Sequence, residues 1–110
     1  MKAFVALLAA LFLSPAIADD TAQDGTVHRY LIERSFPAGA LDGLDAATKE
    51  KVNTNNASVG VRWLHSYANA DKTKTFCVYE GPSEAAVREA AMLNSLPIDS
   101  VTEVPVDLDP

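Results

Sequence analysis

The chain has 110 residues, of which 48% are hydrophobic and 22% charged, and its formal net charge is −6. This length allows one domain at most, and the acidic balance argues against nucleic acid and anionic lipid as partners while it favours cations. Because Cys77 is the only cysteine, a disulfide within the chain is excluded.

Residues 1–18 have the layout of a secretory signal peptide. A lysine precedes an apolar run over 3–13, and small residues follow it up to Ala18. The run is much shorter than the ~20 apolar residues that a membrane helix needs. We therefore expect cleavage after Ala18, a secreted or periplasmic protein that is not attached to the membrane after cleavage, a flexible leader over 19–26, and a domain over 27–110.

Two elements are predicted in the first half of the domain. Residues 27–34 alternate as a strand does, with Tyr30 and Ile32 on one side. A turn follows, and Asp45 is placed to cap a helix over 46–56. Asparagine and threonine are poor helix formers, so we expect the last turn of this helix to fray.

Four elements are predicted in the second half. The clearest pattern is a hairpin over 59–81, in which two runs rich in aromatic and β-branched residues flank a polar loop at 69–73. Ser83 then caps a second helix that ends near Asn94. A last strand covers about 100–106, which completes the order β-α-β-β-α-β.

This order predicts an α+β, ferredoxin-like fold: a four-stranded antiparallel sheet with two helices on one face. Alternation divides the strand residues into two sets. We expect the helices to cover Tyr30, Ile32, Leu64, Phe76, Val78, Val104 and Val106. The opposite face would carry Leu31, Glu33, Trp63, His65, Tyr67, Cys77, Tyr79, Val101 and Glu103. That face is too apolar to remain in water, so we expect a second copy of the chain to cover it as a homodimer.

The hairpin predicts a metal site on this second face. Its expected register sets His65 opposite Cys77 and Trp63 opposite Tyr79, and Glu33 shares their face. Imidazole and thiolate suit nickel, zinc or copper better than magnesium or calcium. His65, Cys77 and Glu33 are therefore the predicted metal ligands.

Other interpretations of these residues are open. Tyr67 and Glu103 are further candidate ligands. Cys77 is equally consistent with a buried core residue, since free cysteine is among the most buried residue types. A Cys–His pair can also form a reactive thiolate, although no third orienting group is evident. Glu33 and Glu103, expected on one face of adjacent strands, are also consistent with a general acid or base.

Three segments resemble a small bacterial family, catalogued as a domain of unknown function, that includes nickel-binding proteins. They are RYLIERSFP, WLHSYANADKTKTFCVYEGPSEAAVREAA and LPIDSVTEVPV. The resemblance implies a ferredoxin-like fold whose subunits pair sheet to sheet as a dimeric α/β barrel. By this resemblance, the positions of the family's motif are matched here by His65, Cys77, Glu33 and Tyr67. Related sequences often have a histidine in the second helix, where this chain has Ala90.

Two functions follow as expectations. The first is a secreted metal-binding protein that sequesters nickel, or another divalent transition metal, on the uncovered face of the sheet. The second is a small enzyme that acts on an organic ligand in the barrel cavity, since dimeric α/β barrels also host monooxygenases and isomerases.

Overall fold

The computed structural model describes residues 26–110, and in this range the predicted order of elements is confirmed. The elements are β1 (His28–Ser35), α1 (Ala46–Ala57), β2 (Arg62–Ala68), β3 (Lys74–Gly81), α2 (Glu84–Leu93) and β4 (Ser100–Glu103). The predicted signal peptide and residues 19–25 of the predicted leader lie outside the described residues. Between 26 and 110, no helix has the length and apolar character that crossing a membrane requires.

The four strands form one antiparallel sheet in the order β2-β3-β1-β4. Each helix connects two strands that point the same way but are not neighbours, which is the split βαβ arrangement. The predicted α+β, ferredoxin-like fold is therefore confirmed.

Both helices begin at the predicted caps. The amide of Thr48 donates to Asp45 Oδ1 at 2.8 Å, and the amide of Ala86 donates to Ser83 Oγ at 3.1 Å. Each cap satisfies one of the amides that the first turn of a helix leaves without a partner.

The end of α1 differs from the prediction, because the polar last turn continues to Ala57. Its asparagines bond to the other helix: Asn55 Nδ2 donates to Asn94 Oδ1 and Asn94 Nδ2 donates to Asn56 Oδ1, each at 2.9 Å. The Asn56 carbonyl also accepts from the amide of Val61 at 2.9 Å. These tertiary bonds hold a turn that helix propensity alone would leave weak.

The side of the sheet beneath the helices, here called the covered face, holds the core. Tyr30, Ile32, Cys77 and Tyr79 lie on it, and Val87 of α2 packs against them. The prediction for β1 is thus confirmed. The opposite side, here called the open face, carries the residues that alternate with these.

The predicted faces of β3 and β4, and of Trp63 in β2, are wrong. Trp63, Cys77, Tyr79 and Val101 pack in or against the core, although the sequence placed them on the uncovered side. Phe76 and Val78 alternate with them and lie on the open face. Both sides of β3 are apolar, so alternation alone cannot orient this strand. The pairing with β1 determines which side of β3 faces the helices, because Ile32 pairs with Cys77 and Leu31 pairs with Val78.

The last strand is shorter than predicted. β4 ends at Glu103, so neither Val104 nor Val106 belongs to it. The amide of Val104 still donates to the carbonyl of Arg29 at 2.8 Å. Pro105 follows and has no N–H with which to extend the ladder.

Candidate functional site

A β-bulge in β2 rearranges the predicted site. Trp63 pairs with Tyr79 as expected, but the next paired residue, His65, faces Val78 instead of Cys77. Leu64 is the extra residue between the two pairs. A bulge of one residue reverses the alternation of everything that follows it in the strand. His65 and Tyr67 therefore lie on the open face, whereas Trp63 lies on the covered face.

Cys77 is separated from His65 by the sheet itself. It is a free, buried thiol in the core, and its Sγ donates to Thr75 Oγ1 at 3.6 Å. The predicted juxtaposition of Cys77 with His65 and Glu33 is wrong. The same separation removes the Cys–His pair that a thiolate mechanism would need.

His65 is an exposed imidazole on the open face. Its ring meets that of Tyr67 edge-on, with 4.6 Å between the ring centres, and Tyr67 is itself 64% exposed. Among residues 26–110, His65 has no hydrogen-bond or ion-pair partner. The imidazole is therefore exposed to solvent and free of polar partners in this range.

Glu33 also lies on the open face, but its carboxylate has partners. Ser100 Oγ donates to Glu33 Oε2 at 3.3 Å, and Lys74 Nζ lies 3.8 Å from Glu33 Oε1. Glu33 is on β1 and His65 on β2, with β3 between them. Because neighbouring strands lie about 4.8 Å apart, their backbones are separated by roughly 10 Å.

Glu103 lies on the other face from Glu33, which corrects the expectation that the two would be neighbours. Glu103 of β4 pairs with Tyr30 of β1, and its Oε2 lies 2.8 Å from His28 Nδ1. Burial, followed by the nearby carboxylates of Glu103 and Glu84, raises the pKa of the Tyr30 phenol. His28 and Glu103 are diagonal neighbours on one face, because the residue paired with Glu103 is Tyr30, so this contact could be found only once the register of β1 and β4 was known.

No group of three His, Cys, Asp or Glu side chains that could hold a metal ion is present within the part of the chain that the structure describes. His65 and Glu33 are donor types that suit a transition metal, yet one chain does not bring them together.

Comparisons with known proteins agree with the fold. The crystal structure of SCO4226 from Streptomyces coelicolor A3(2) matches with a TM-score of 0.62 and 18% sequence identity, over 73% of this chain and 99% of that one. No curated protein matches the chain. The family described as "Nickel responsive protein SCO4226-like" matches residues 30–104. That match covers most of the chain, which therefore belongs to the SCO4226-like family of nickel responsive proteins.

Proposed function

We propose that this protein binds nickel on the open face of its sheet, with the His65 imidazole as a ligand. The observation that carries the proposal is the availability of His65: it is exposed, and nothing among residues 26–110 bonds to its ring nitrogens. Neutral imidazole is a preferred ligand of nickel. The family name, which describes nickel responsive proteins, supports the choice of metal.

A second copy of the chain supplies the remaining protein ligands in this proposal. The open face carries Leu31, Phe76 and Val78, which are only partly buried in one subunit. Three such side chains on adjacent strands form an apolar area that favours association. Packing two open faces together would set His65 and Glu33 of one subunit against the same residues of its partner, and water would fill the other positions on the ion.

Calorimetric titration of nickel into the wild type and three variants tests this proposal. His65→Ala should weaken nickel binding by about tenfold or more, since changes even beyond the direct ligands cost 10–100-fold. Cys77→Ala is the matched control and should bind as the wild type does, because Cys77 lies on the other side of the sheet. Nickel affinity should also fall in acid, since only a deprotonated imidazole binds the metal.

The third variant, His28→Ala, tests an alternative location for the nickel site. His28 is oriented by Glu103 at 2.8 Å, which resembles the carboxylate–histidine arrangement around many metal ions. Loss of nickel binding in His28→Ala, with normal binding in His65→Ala, would move the site to the covered side of β1 and contradict the proposal.

The oligomeric state is measured in the same samples. Light scattering should give a dimer for the wild type. A wild-type monomer that binds nickel with unchanged affinity at all protein concentrations would contradict the shared site.

A further inference from the structure

Two apolar side chains that follow the last strand are largely exposed. Val106 is 70% exposed and Leu108 is 90% exposed, and both come after residue 104, where the family match ends. Asp107 and Asp109 alternate with them. Because residues two apart lie on the same side of an extended chain, the segment 106–109 can present one apolar side and one acidic side. This segment is here called the tail segment.

Contacts with β1 fix the place where the tail segment begins. The amide of Val104 donates to the carbonyl of Arg29 at 2.8 Å, and Arg29 Nη1 donates to Asp107 Oδ1, also at 2.8 Å. Arg29 precedes Tyr30 in β1, so alternation places its side chain on the open face with Leu31. The tail segment is therefore held on the side of the sheet that has no helices, beside the start of β1.

A broad depression of about 580 Å³ lies along the free edge of β2. Its apolar wall includes Leu41, Leu44 and Tyr67. Lys49 and Lys72 also line it, and neither forms an ion pair in the part of the chain from 26 to 110. This space, here called the edge depression, thus combines apolar and positively charged side chains in a chain whose net charge is −6.

The backbone of β2 has free hydrogen-bonding groups beside the edge depression. The amide of Asn69 donates to the carbonyl of Lys74 at 3.0 Å and so closes the hairpin. Hydrogen-bonded pairs alternate along an antiparallel ladder, so Ser66 and Ala68 lie between the residues of β2 that bond to β3. Their N–H and C=O groups point away from β3. A short extended segment can therefore pair with them without crossing the bulge.

The tail segment cannot reach the edge depression of its own chain. β4 and β2 are opposite edges of the sheet, and three strand spacings separate them by roughly 14 Å. They are separated lengthwise as well, because Ala68 lies level with Arg34 near the end of β1, whereas Asp107 is held near its start. Leu108 is only one residue beyond Asp107, which adds about 3.5 Å of reach. The tail segment is therefore available to a second copy of the chain.

We infer that the tail segment of a second copy binds in the edge depression as a short added strand. Leu108 packs against Leu44, and the Asp109 carboxylate lies beside Lys49 and Lys72, whose long flexible stems let the ammonium groups follow it. Two acidic chains repel each other, and this contact instead brings opposite charges together. When the contact is reciprocal about a two-fold axis, association stops at the dimer. The inference rests on the dimer of the proposed function but not on nickel.

The test is paramagnetic broadening between molecules, measured by NMR on the full chain without nickel. One sample carries a nitroxide on Pro110→Cys in a Cys77→Ala background, so the end of the tail holds the only thiol. It is mixed with ¹⁵N-labelled protein that has no nitroxide, so every broadened signal reports a contact between two molecules. The amide signals of Ser66, Ala68 and Lys72 should broaden most. No broadening at these residues, or stronger broadening elsewhere, would overturn the inference.

A second nitroxide position controls for random collisions. Met92 is 78% exposed on α2 and does not line the edge depression. A nitroxide on Met92→Cys, in the same Cys77→Ala background, should leave the signals of Ser66 and Ala68 sharp. Equal broadening of these signals from both nitroxide positions would overturn the inference.

Variants with altered charge or apolar contact complete the experiment. Lys49→Glu combined with Lys72→Glu should abolish the broadening by the tail nitroxide. Lys51→Glu is the matched control, since Lys51 is on the same helix as Lys49 but outside the edge depression. Leu108→Ala should raise the dissociation constant of the dimer by about tenfold, because it removes apolar area that the contact buries. Broadening that survives the lysine exchange, together with an unchanged dissociation constant in Leu108→Ala, would overturn the inference.

The tail contact and the nickel site fail separately in these experiments. Tail broadening in a protein that does not bind nickel would contradict the proposed function alone. Nickel binding at His65 without tail broadening would contradict the tail contact alone.

Discussion

The two faces of the sheet distribute polar and apolar residues in opposite ways. The covered face is the buried one, yet it holds Arg34 and the Cys77 thiol among its apolar residues. The open face is accessible, yet it holds Leu31, Phe76 and Val78 beside His65. Polarity therefore does not identify the buried side here.

The largest expected effect is the difference in lost stability between a side-chain truncation on the covered face and one on the open face. Ile32 is fully buried on the covered face, so Ile32→Ala should lower the free energy of unfolding by about 2–5 kcal/mol. Val78→Ala on the open face should cost about 1 kcal/mol or less in a single subunit. Urea denaturation measures both. Equal losses of unfolding free energy in the two variants, measured in dilute protein, would contradict this difference between the faces.

Protein concentration sharpens this comparison. If a second copy covers the open face, the loss in Val78→Ala should grow with protein concentration, because a bound partner stabilises the folded chain by mass action. The loss in Ile32→Ala should grow much less.

A smaller effect tests how tightly the covered face is packed. A Cβ atom at Gly81 would lie 3.1 Å from Val61 Cγ2 and 3.4 Å from Val87 Cγ2. Gly81→Ala should therefore cost about 1–3 kcal/mol through overpacking. Gly43→Ala is the control, since a Cβ there meets nothing within 4 Å. Thermal unfolding should separate the two variants, and similar melting temperatures would mean that α2 moves away freely.

The smallest expected effect concerns the start of α2, which covers the sheet. Ser83→Ala removes the acceptor of the Ala86 amide and should cost about 1 kcal/mol. Ser83→Asp keeps a capping oxygen and should retain nearly all of the stability. Denaturant midpoints check both variants. A Ser83→Asp variant as unstable as Ser83→Ala would show that the hydroxyl acts through something other than capping.

The local signals in this sequence were sufficient for the elements and their order. Asp45 and Ser83 cap the helices as predicted, because a cap depends only on residues within one turn. The predicted ferredoxin-like fold is confirmed as well, since β-α-β-β-α-β with right-handed crossovers leaves few alternatives.

The predicted site failed where the answer depended on pairing between strands. Leu64 carries no mark of a bulge, so alternation put Trp63 on the same face as His65, whereas the bulge places Trp63 on the covered face and His65 on the open face. Gly81 did contain a signal: a glycine in a strand often marks close approach of another element. Counting back from it by twos would have placed Tyr79 and Cys77 beneath the helices. The metal roles of His65 and Glu33 remain predictions that the nickel titrations will test.

The Leu64 bulge also affects how these molecules behave when crowded together. β2 is an edge strand, and a long, flat edge is a template on which other chains can add strands and aggregate. The bulge interrupts the row of free backbone groups and increases the local twist, so an incoming strand cannot stay in register along it. The opposite edge is protected differently, since β4 has only four residues and Pro105 lies just beyond it. Growth into fibrils through either edge is therefore disfavoured.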